Sequence, residues 1–486
     1  MSKPLQTLPE KLWPGKGTAC LINGLVAEDK LIKNVNVGKG TEVTSATMLQ
    51  FAMNQLERCC QQKNSRNCLL SGFTSLLRFP PVSKPIEMNL ELRAEFRGKQ
   101  SEVIDHRMLE LVPENTFHGS SSSSRYTDDG HKVVICMACW EPDPVRFKRQ
   151  IESIKRQTIK SWHCIINDDA SSDESWQHVR DIVGDDRRFS LYRNEENLGF
   201  YANFEIALSR VPVESDFIAL ADQDDDWYPE KLEASLQAFE KDTVLVYCDM
   251  RIVDENSNAI AETYWRGRRN NFRDADVLFL ANTVTGAASI FRRNLLDDIL
   301  PFPQPVGQVF HDHWIACVAR CRGNLGYVDQ ALYDYYQYGS SVIGHCDFEA
   351  RGVVQRIAET AGIVRHLGKL GRIKSWLIKK RISALNVFHF EYLRLYLFAE
   401  ILKMRLPDMQ HDAARALRMF SAGWPAIFYL LAAHLRIVIR KETTDDAELR
   451  LAGSLLMFKL DRLLGYLLAG RIVKKHCQSL NRSAAR

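Results

Sequence analysis

Phe217-Ile218-Ala219-Leu220-Ala221-Asp222-Gln223-Asp224-Asp225-Asp226-Trp227 places four carboxylates in five positions directly behind five apolar residues. The apolar run predicts a buried strand, and packing gives no reason for the acids that follow it. Like charges this close repel and raise one another's pKa, a cost that a divalent cation offsets. Oxygen ligands at the C-terminal end of a strand suit Mg²⁺ or Mn²⁺ holding a diphosphate, at the edge where open α/β sheets bind ligands. The plainer alternative is a solvated acidic turn capping a helix that begins near Pro229.

Working outward, Val133 to Ala138 predicts another buried strand, followed by Glu141-Pro142-Asp143-Pro144 and a helix with Phe147, Ile151 and Ile154 on one face. A strand at Trp162 to Ile166 ends in Asn167-Asp168-Asp169-Ala170-Ser171-Ser172-Asp173, whose Ser and Asp residues suit a helix cap. A third apolar segment, Phe189 to Tyr192, leads through Arg193 to Phe200 into a helix containing Ala207 and Leu208. Strands and helices alternating at this spacing predict right-handed βαβ units and a mostly parallel, Rossmann-like α/β sheet. Both acidic loops then fall on one sheet edge.

These segments resemble the family 2 glycosyltransferases of the GT-A fold, and within them the rhamnosyltransferase-like branch. The resemblance runs from about His131 to His345. It rests on Asn167 to Asp173 for a strand-end DDxSxD loop, Asn197-Leu198-Gly199 for an NxG turn, and Asp222 to Trp227 for a DQDDxW form of the DxD motif. Thr285-Gly286-Ala287-Ala288 and His311-Asp312-His313-Trp314 are similar to the branch's acceptor-side glycine turn and HDxW segment. Five motifs in the right order are far more specific than any one of them.

The resemblance implies a role for each residue. Asp168, Asp169 and Asn197 would serve the donor, with Asp169 accepting from its base, and Asp222 would sit near the ribose. Asp224, with Asp225 close by, would hold the Mn²⁺ or Mg²⁺ that neutralises the diphosphate. Asp312 would be the general base in an inverting transfer from a nucleotide-sugar, dTDP-rhamnose or a UDP-sugar, to a glycan or lipid-linked glycan. Taken alone, Asp312 also reads as a helix N-cap. Gly286 and Trp314 would lie on the diphosphate or acceptor side. His311 and His313 read either as ligands or as a frame around the carboxylate.

One segment departs from the pattern. The branch carries an Arg and a His in a YRxHxxN-like stretch, whereas this chain has Tyr336 and Tyr338 there, and neither supplies a positive charge. His345 and the Arg266, Arg268 and Arg269 loop are other candidates for that charge, the loop also reading as an ordinary exposed basic turn. The departure keeps a weakly active, glycosyltransferase-like scaffold as the alternative. Other chemistries fit worse. Trp140-Glu141-Pro142-Asp143 stands where a nucleotidyltransferase needs a basic glycine-rich loop or a dinucleotide enzyme its GxGxxG.

The 486 residues predict about three parts: 1–125 of unassigned role ending in the Ser120 to Ser124 linker, the catalytic domain at 131–346, and a helical region at 347–486. A helix is predicted at Thr44 to Cys59. The net charge of +4 conceals a gradient, since residues 351–486 hold roughly 25 Lys and Arg against about 10 Asp and Glu. Helices are expected at Ile373 to Ile382, Val387 to Leu402, Trp424 to Ile439 and Leu451 to Val473. They read equally as a bundle packed on the catalytic domain or as basic amphipathic helices lying on an anionic membrane surface. No nucleic-acid motif accompanies the charge. No signal-peptide core lies between Lys3 and Lys16, and no run of 18 apolar residues occurs, so a cytoplasmic protein, peripheral at the inner face of the plasma membrane, is expected. Cys136 and Cys139 have CxxC form but fall in a strand. In a strand residues three apart point to opposite faces, Cys59, Cys60 and Cys68 lack a matching second ligand pair, and Cys317 and Cys321 lie one helical turn apart among apolar residues, so none of these sets reads as a zinc site.

Overall fold

The computed structural model describes residues 8, 11–12, 16–28, 32–39, 47–51, 69–79, 81–96, 102–112, 133–265, 270, 272–337, 383–421, 423–440, 444 and 446–460. The amino-terminal part, where described, is built of strands: β1 (Lys11–Leu12), β2 (Thr18–Glu28), β3 (Ile32–Lys39), β4 (Thr47–Phe51), β5 (Leu69–Phe79), β6 (Ile86–Phe96) and β7 (Glu102–Leu111). One sheet has the order β1-β7-β6-β3 and another β2-β5-β4. The helix expected at Thr44 to Cys59 is therefore corrected over Thr47–Phe51. That segment pairs antiparallel with β5, with Thr47 opposite Leu76, and a partner this far along the chain leaves no mark on local periodicity. Residues 44–46 and 52–59 lie outside the described residues.

The central sheet contains β8 (Val133–Cys139), β9 (Trp162–Asp168), β10 (Phe189–Arg193), β11 (Phe217–Ala221), β12 (Asp226–Trp227), β13 (Thr243–Val253), β14 (Ala259–Ala261), β15 (Ser289–Arg292) and β16 (Asn324–Tyr336). Its order is β10-β9-β8-β11-β15-β13-β16-β12, with β14 on β13. The β10/β9, β9/β8 and β8/β11 pairs are parallel, and Cys139 stands opposite Asp168 while Met137 stands opposite Ala221. This register brings the two acidic loops to one edge. The remaining half is mixed, since β15 runs antiparallel to both β11 and β13.

Local signals fix the helices on this sheet. In α1 (Pro144–Lys155), Asp143 accepts from the amides of Val145 and Arg146, proline occupies the first turn, and Phe147, Ile151 and Ile154 are buried. In α2 (Asp173–Val183), Ser172 caps Ser175 and two acids occupy the first turn. Gly199, at φ 83°, opens α3 (Phe200–Ser209). α4 (Lys231–Gln237), α5 (Ala275–Leu280) and α6 (His311–Arg322) follow. Cys136, Cys139, Cys317 and Cys321 are buried free thiols, as apolar strand and helix positions imply.

The carboxyl-terminal part is helical where described. A π-turn at Phe388–Tyr392 leads into α7 (Leu393–Arg405), then come α8 (Pro425–Arg440) and a helix over 447–460, here α9. α7 packs into the core, with Phe398 5.1 Å from Trp314 between ring centroids. Arg405 is its anchor: the buried guanidinium donates to the carbonyls of Gly17 at 2.6 Å, Asp298 at 2.9 Å and Pro301 at 2.7 Å. Beside it, Lys16 reaches Asp298 at 2.7 Å. Arg436 donates through Nε to Asp276 at 2.8 Å, and Arg440 pairs with Asp274, fastening α8 to the start of α5. The predicted helix at 373–382 lies outside the described residues, and no described helix is long and apolar enough to cross a membrane.

Candidate active site

The loop after β9 spends its acids on itself. Asp168 is buried and accepts from the Ser171 amide at 3.0 Å and hydroxyl at 2.5 Å, with Arg193 Nε 3.5 Å away. Asp169, also buried, accepts from the amides of Leu198 at 2.9 Å and Gly199 at 2.7 Å and from Asn194 Nδ2 at 2.8 Å. Asn197 returns a bond to the Asp169 carbonyl at 3.1 Å. These contacts latch the Asn197 to Gly199 turn onto Asp169, while Asp168 bonds within its own loop, so both carboxylates are turned inward.

Beyond β11, the Gln223 side chain pairs with the backbone of Trp140, accepting at 2.9 Å and donating at 3.2 Å, which ties the acidic loop to the end of β8. Asp222, Asp224 and Asp225 interact strongly. Desolvation, then the charges of Asp224 and Asp312, push Asp222 up to about 7, and Lys231 opposes this. Burial raises Asp224 while Arg146 and Arg149 pull it back, and Asp225 is raised by burial and by its two acidic neighbours. Asp225 Oδ2 is buried without a hydrogen-bond partner among the described residues. An orphaned carboxylate oxygen in a loop with two further carboxylates is an open ligand for a divalent cation, whose other ligands would come from water and phosphate, since among the described residues these three do not draw together into one ligand set.

Two sources of positive charge at this loop escaped the sequence reading. Arg146 and Arg149, one turn apart on α1, both act on Asp224, and Arg149 Nη2 donates to the Asp224 carbonyl at 2.5 Å. Lys231, at the start of α4, is buried. Its Nζ donates to the Ala287 carbonyl at 2.5 Å and lies 3.7 Å from the Trp227 ring centroid and 4.1 Å from that of Tyr333. Burial, first, lowers its pKa to about 8, with Cys248, Asp225 and Asp222 opposing. The nearest sequence signal was the position of each, one turn from a strand-end loop, and that position reads equally well as a solvated helix start.

Lys231 thereby joins the acidic loop to the glycine turn, which in turn holds Asp312. Asp312 accepts from the Gly286 amide at 3.3 Å and from Asn282 Nδ2 at 3.1 Å. Desolvation raises its pKa to about 6 against those bonds. It lies in the first turn of α6, whose N-cap is Phe310, so it is not itself the cap. A Cβ at Gly286 would come 2.8 Å from His311 Nε2, which accounts for glycine there. The His311 ring stacks on Phe204 at 3.8 Å, is neutral because burial lowers its pKa to about 3, and meets no hydrogen-bond partner among the described residues. Backbone bonds to Leu278 and Phe279 hold His313, which favours the frame reading for that ring.

Trp314 requires a correction. It is fully buried and donates through Nε1 to the Ile299 carbonyl at 2.8 Å, so it is a core residue with no face toward a ligand. An apolar ring whose only polar atom is already paired packs better inside than at a wet acceptor site. Arg268, Tyr338 and His345 lie outside the described residues. Tyr336 is buried, its hydroxyl 2.9 Å from Ser257 Oγ, with the Arg149 guanidinium carbon 3.4 Å from its ring centroid.

Residues 134–300 match the family described as Glycosyl transferase family 2. Over 107 residues the chain is 25% identical to the succinoglycan biosynthesis protein ExoW of Rhizobium meliloti, a match covering 22% of this chain and 34% of that one. Over 130 residues it is 29% identical to an Escherichia coli UDP-Glc:alpha-D-GlcNAc-diphosphoundecaprenol beta-1,3-glucosyltransferase, WfgD, covering 26% of this chain and 49% of that one. The chain thus spans at most about half the length of these two relatives. A mannosyltransferase from Pyrobaculum calidifontis, solved with GDP-Man and Mn2+, is similar at 16% identity and a TM-score of 0.36, covering 72% of this chain and 92% of that one. The segment from Val134 to Leu300, which holds both strand-end acidic loops and the glycine turn, is a family 2 glycosyltransferase domain.

Proposed function

We propose that the protein transfers a sugar, with inversion, from a nucleotide-diphosphate donor to a hydroxyl of a glycan or lipid-linked glycan in surface-polysaccharide assembly. The observation that carries this reading is the link from the acidic loop through Lys231 to the glycine turn whose Gly286 amide holds Asp312, which brings that α6 carboxylate near enough for its charge to help raise Asp222 at the end of β11. A donor-side and an acceptor-side carboxylate at this proximity suit a sugar held between them. The two relatives named for succinoglycan and diphosphoundecaprenol-linked glycan support the acceptor class, and UDP-sugars stand beside dTDP-rhamnose as donors.

Asp224, with Asp225 close by, would hold Mn²⁺ or Mg²⁺, which supplies Lewis-acid neutralisation of the diphosphate leaving group. Arg146 and Arg149 lie on the Asp224 side of the site and add positive charge there. Asp312, held by Gly286 and Asn282, takes the proton from the acceptor hydroxyl as its oxygen attacks the anomeric carbon. The raised pKa brings that carboxylate near the range of an effective base at neutral pH.

Donor hydrolysis and transfer measured with Mn²⁺ for the natural protein, Asp224→Ala and Asp312→Asn test the reading. Both variants should lose turnover, and equal rates in all three would leave a non-catalytic scaffold. Thermal shifts with dTDP, UDP and GDP, with and without Mn²⁺, then rank the donors, because a ligand that binds the native state raises Tm by mass action.

A further inference from the structure

α8 has two apolar faces, and the fold uses only one of them. Ala426, Leu430, Ala433 and Ile437 are buried against the core. Trp424, Phe428, Leu431, Leu435 and Val438 are exposed, Phe428 at 71% and Leu435 at 63%. At 100° per residue these five fall within an arc of about 80°, opposite the buried stripe. No charged residue lies among them. An amphipathic helix of a soluble core turns its polar face outward, whereas α8 turns apolar residues outward as well as inward.

The neighbouring helix extends the same surface. Lys459 Nζ lies 5.4 Å from the Trp424 ring centroid, and His434 Nδ1 lies 2.8 Å from Glu448, so α9 runs antiparallel beside α8. α9 buries Leu451, Leu455 and Phe458 and leaves Leu449, Leu456 and Leu460 exposed. With the buried stripes of the two helices on one side, their exposed stripes open together on the other. An apolar patch this continuous marks an interaction surface.

We propose that this two-helix face docks on an anionic lipid bilayer, with the aromatic rings entering the interface and the helices lying in its plane. The occupant is argued from charge. Residues 351–486 carry roughly 25 Lys and Arg against about 10 Asp and Glu, and Lys459 borders the patch. An apolar stripe bordered by cations is the combination that interfacial helices use, each basic residue near an anionic surface adding to the attraction. The inference rests on the lipid-linked acceptor reading only for its purpose; the docking itself needs no turnover.

The test is co-sedimentation of the full chain, without donor, with phosphatidylcholine vesicles that contain or lack phosphatidylglycerol. Binding should require the anionic lipid, weaken with salt, and fall about tenfold or more in Phe428→Glu/Leu435→Glu. Far-UV circular dichroism and Tm confirm that the variant folds, and Lys459→Glu provides a second, charge-only variant with an intermediate loss. No binding, binding unaffected by Phe428→Glu/Leu435→Glu, or a concentration-dependent dimer abolished by that change would each overturn the proposal. Donor hydrolysis in vesicle-free solution reports separately on the transferase reading, so either can fail alone.

Discussion

The Arg149 guanidinium carbon lies 3.4 Å from the ring centroid of Tyr336, and the same guanidinium donates to the Asp224 carbonyl. A tyrosine at the end of β16 thus supports an arginine arriving from α1 and keeps its charge at the acidic loop. Stacking of this kind uses the planarity of the guanidinium as well as its charge.

Arg149→Ala should therefore raise the donor KM about 10-fold or more, the loss of one charge-assisted contact. Arg149→Lys should recover only part of this, because an ammonium cannot make the same stacked fork. Steady-state kinetics at varied donor, with Tyr336→Phe as a control that retains the ring, decide the point. Equal kinetics for Arg149→Ala and the natural protein would remove this residue from the site.

In the proposed role of general base Asp312 must be ionised to accept a proton, and burial raises its pKa to about 6. The acid limb of kcat should accordingly fall away as pH drops through about 6. Asp312→Asn should lower kcat by about 10² to 10⁴ while leaving nucleotide binding by thermal shift unchanged. An unaltered acid limb in a residually active Asp312→Asn enzyme would assign that limb to another group.

Asp222 sits at about 7 against an ordinary 3.8, so the folded state binds its proton more tightly than the unfolded chain does. Its contribution to stability is complete below 3.8 and is lost as pH rises through about 7. In metal-free protein, Asp222→Asn should raise stability by about 1–2 kcal/mol at pH 8 and change it little at pH 4, as read from urea unfolding. The opposite pH order would contradict the crowding of carboxylates in this loop.

Lys231 is the buried cation between that loop and the glycine turn. Lys231→Met should cost about 3 kcal/mol near neutral pH, where Asp222 begins to ionise, and less at pH 5, where Asp222 is protonated. Denaturant unfolding at the two pH values measures the difference. A cost independent of pH would mean that Lys231 acts only by packing against Trp227 and Tyr333.

Much of the site could be read from local pattern because each part has a local cause. Alternating apolar runs and caps announce β8 to β11 with their helices, and acids directly behind buried strands announce the sheet edge at which both acidic loops lie. What escaped depended on contacts between distant segments. Lys231 and Arg149 read as ordinary helix-surface residues until packing placed them beside the aspartates. Trp314 sits in a motif yet is held by Ile299, and the inward turn of Asp169 depends on amides almost thirty positions later. Thr47–Phe51 lacks the strand alternation that would have countered a helix prediction, and its identity comes from β5.

The Arg405 anchor bears on how this molecule may be cut. Trimming the chain to begin at β8 would remove the Gly17 acceptor and the Lys16 cation, leaving a buried guanidinium one bond short and Asp298 with one fewer positive neighbour. Such a fragment would keep every motif of the transferase domain and still expose the flank on which α7 rests. An expression boundary drawn from motifs alone would thus yield a weakened protein, and its poor behaviour would be mistaken for a defect of the enzyme.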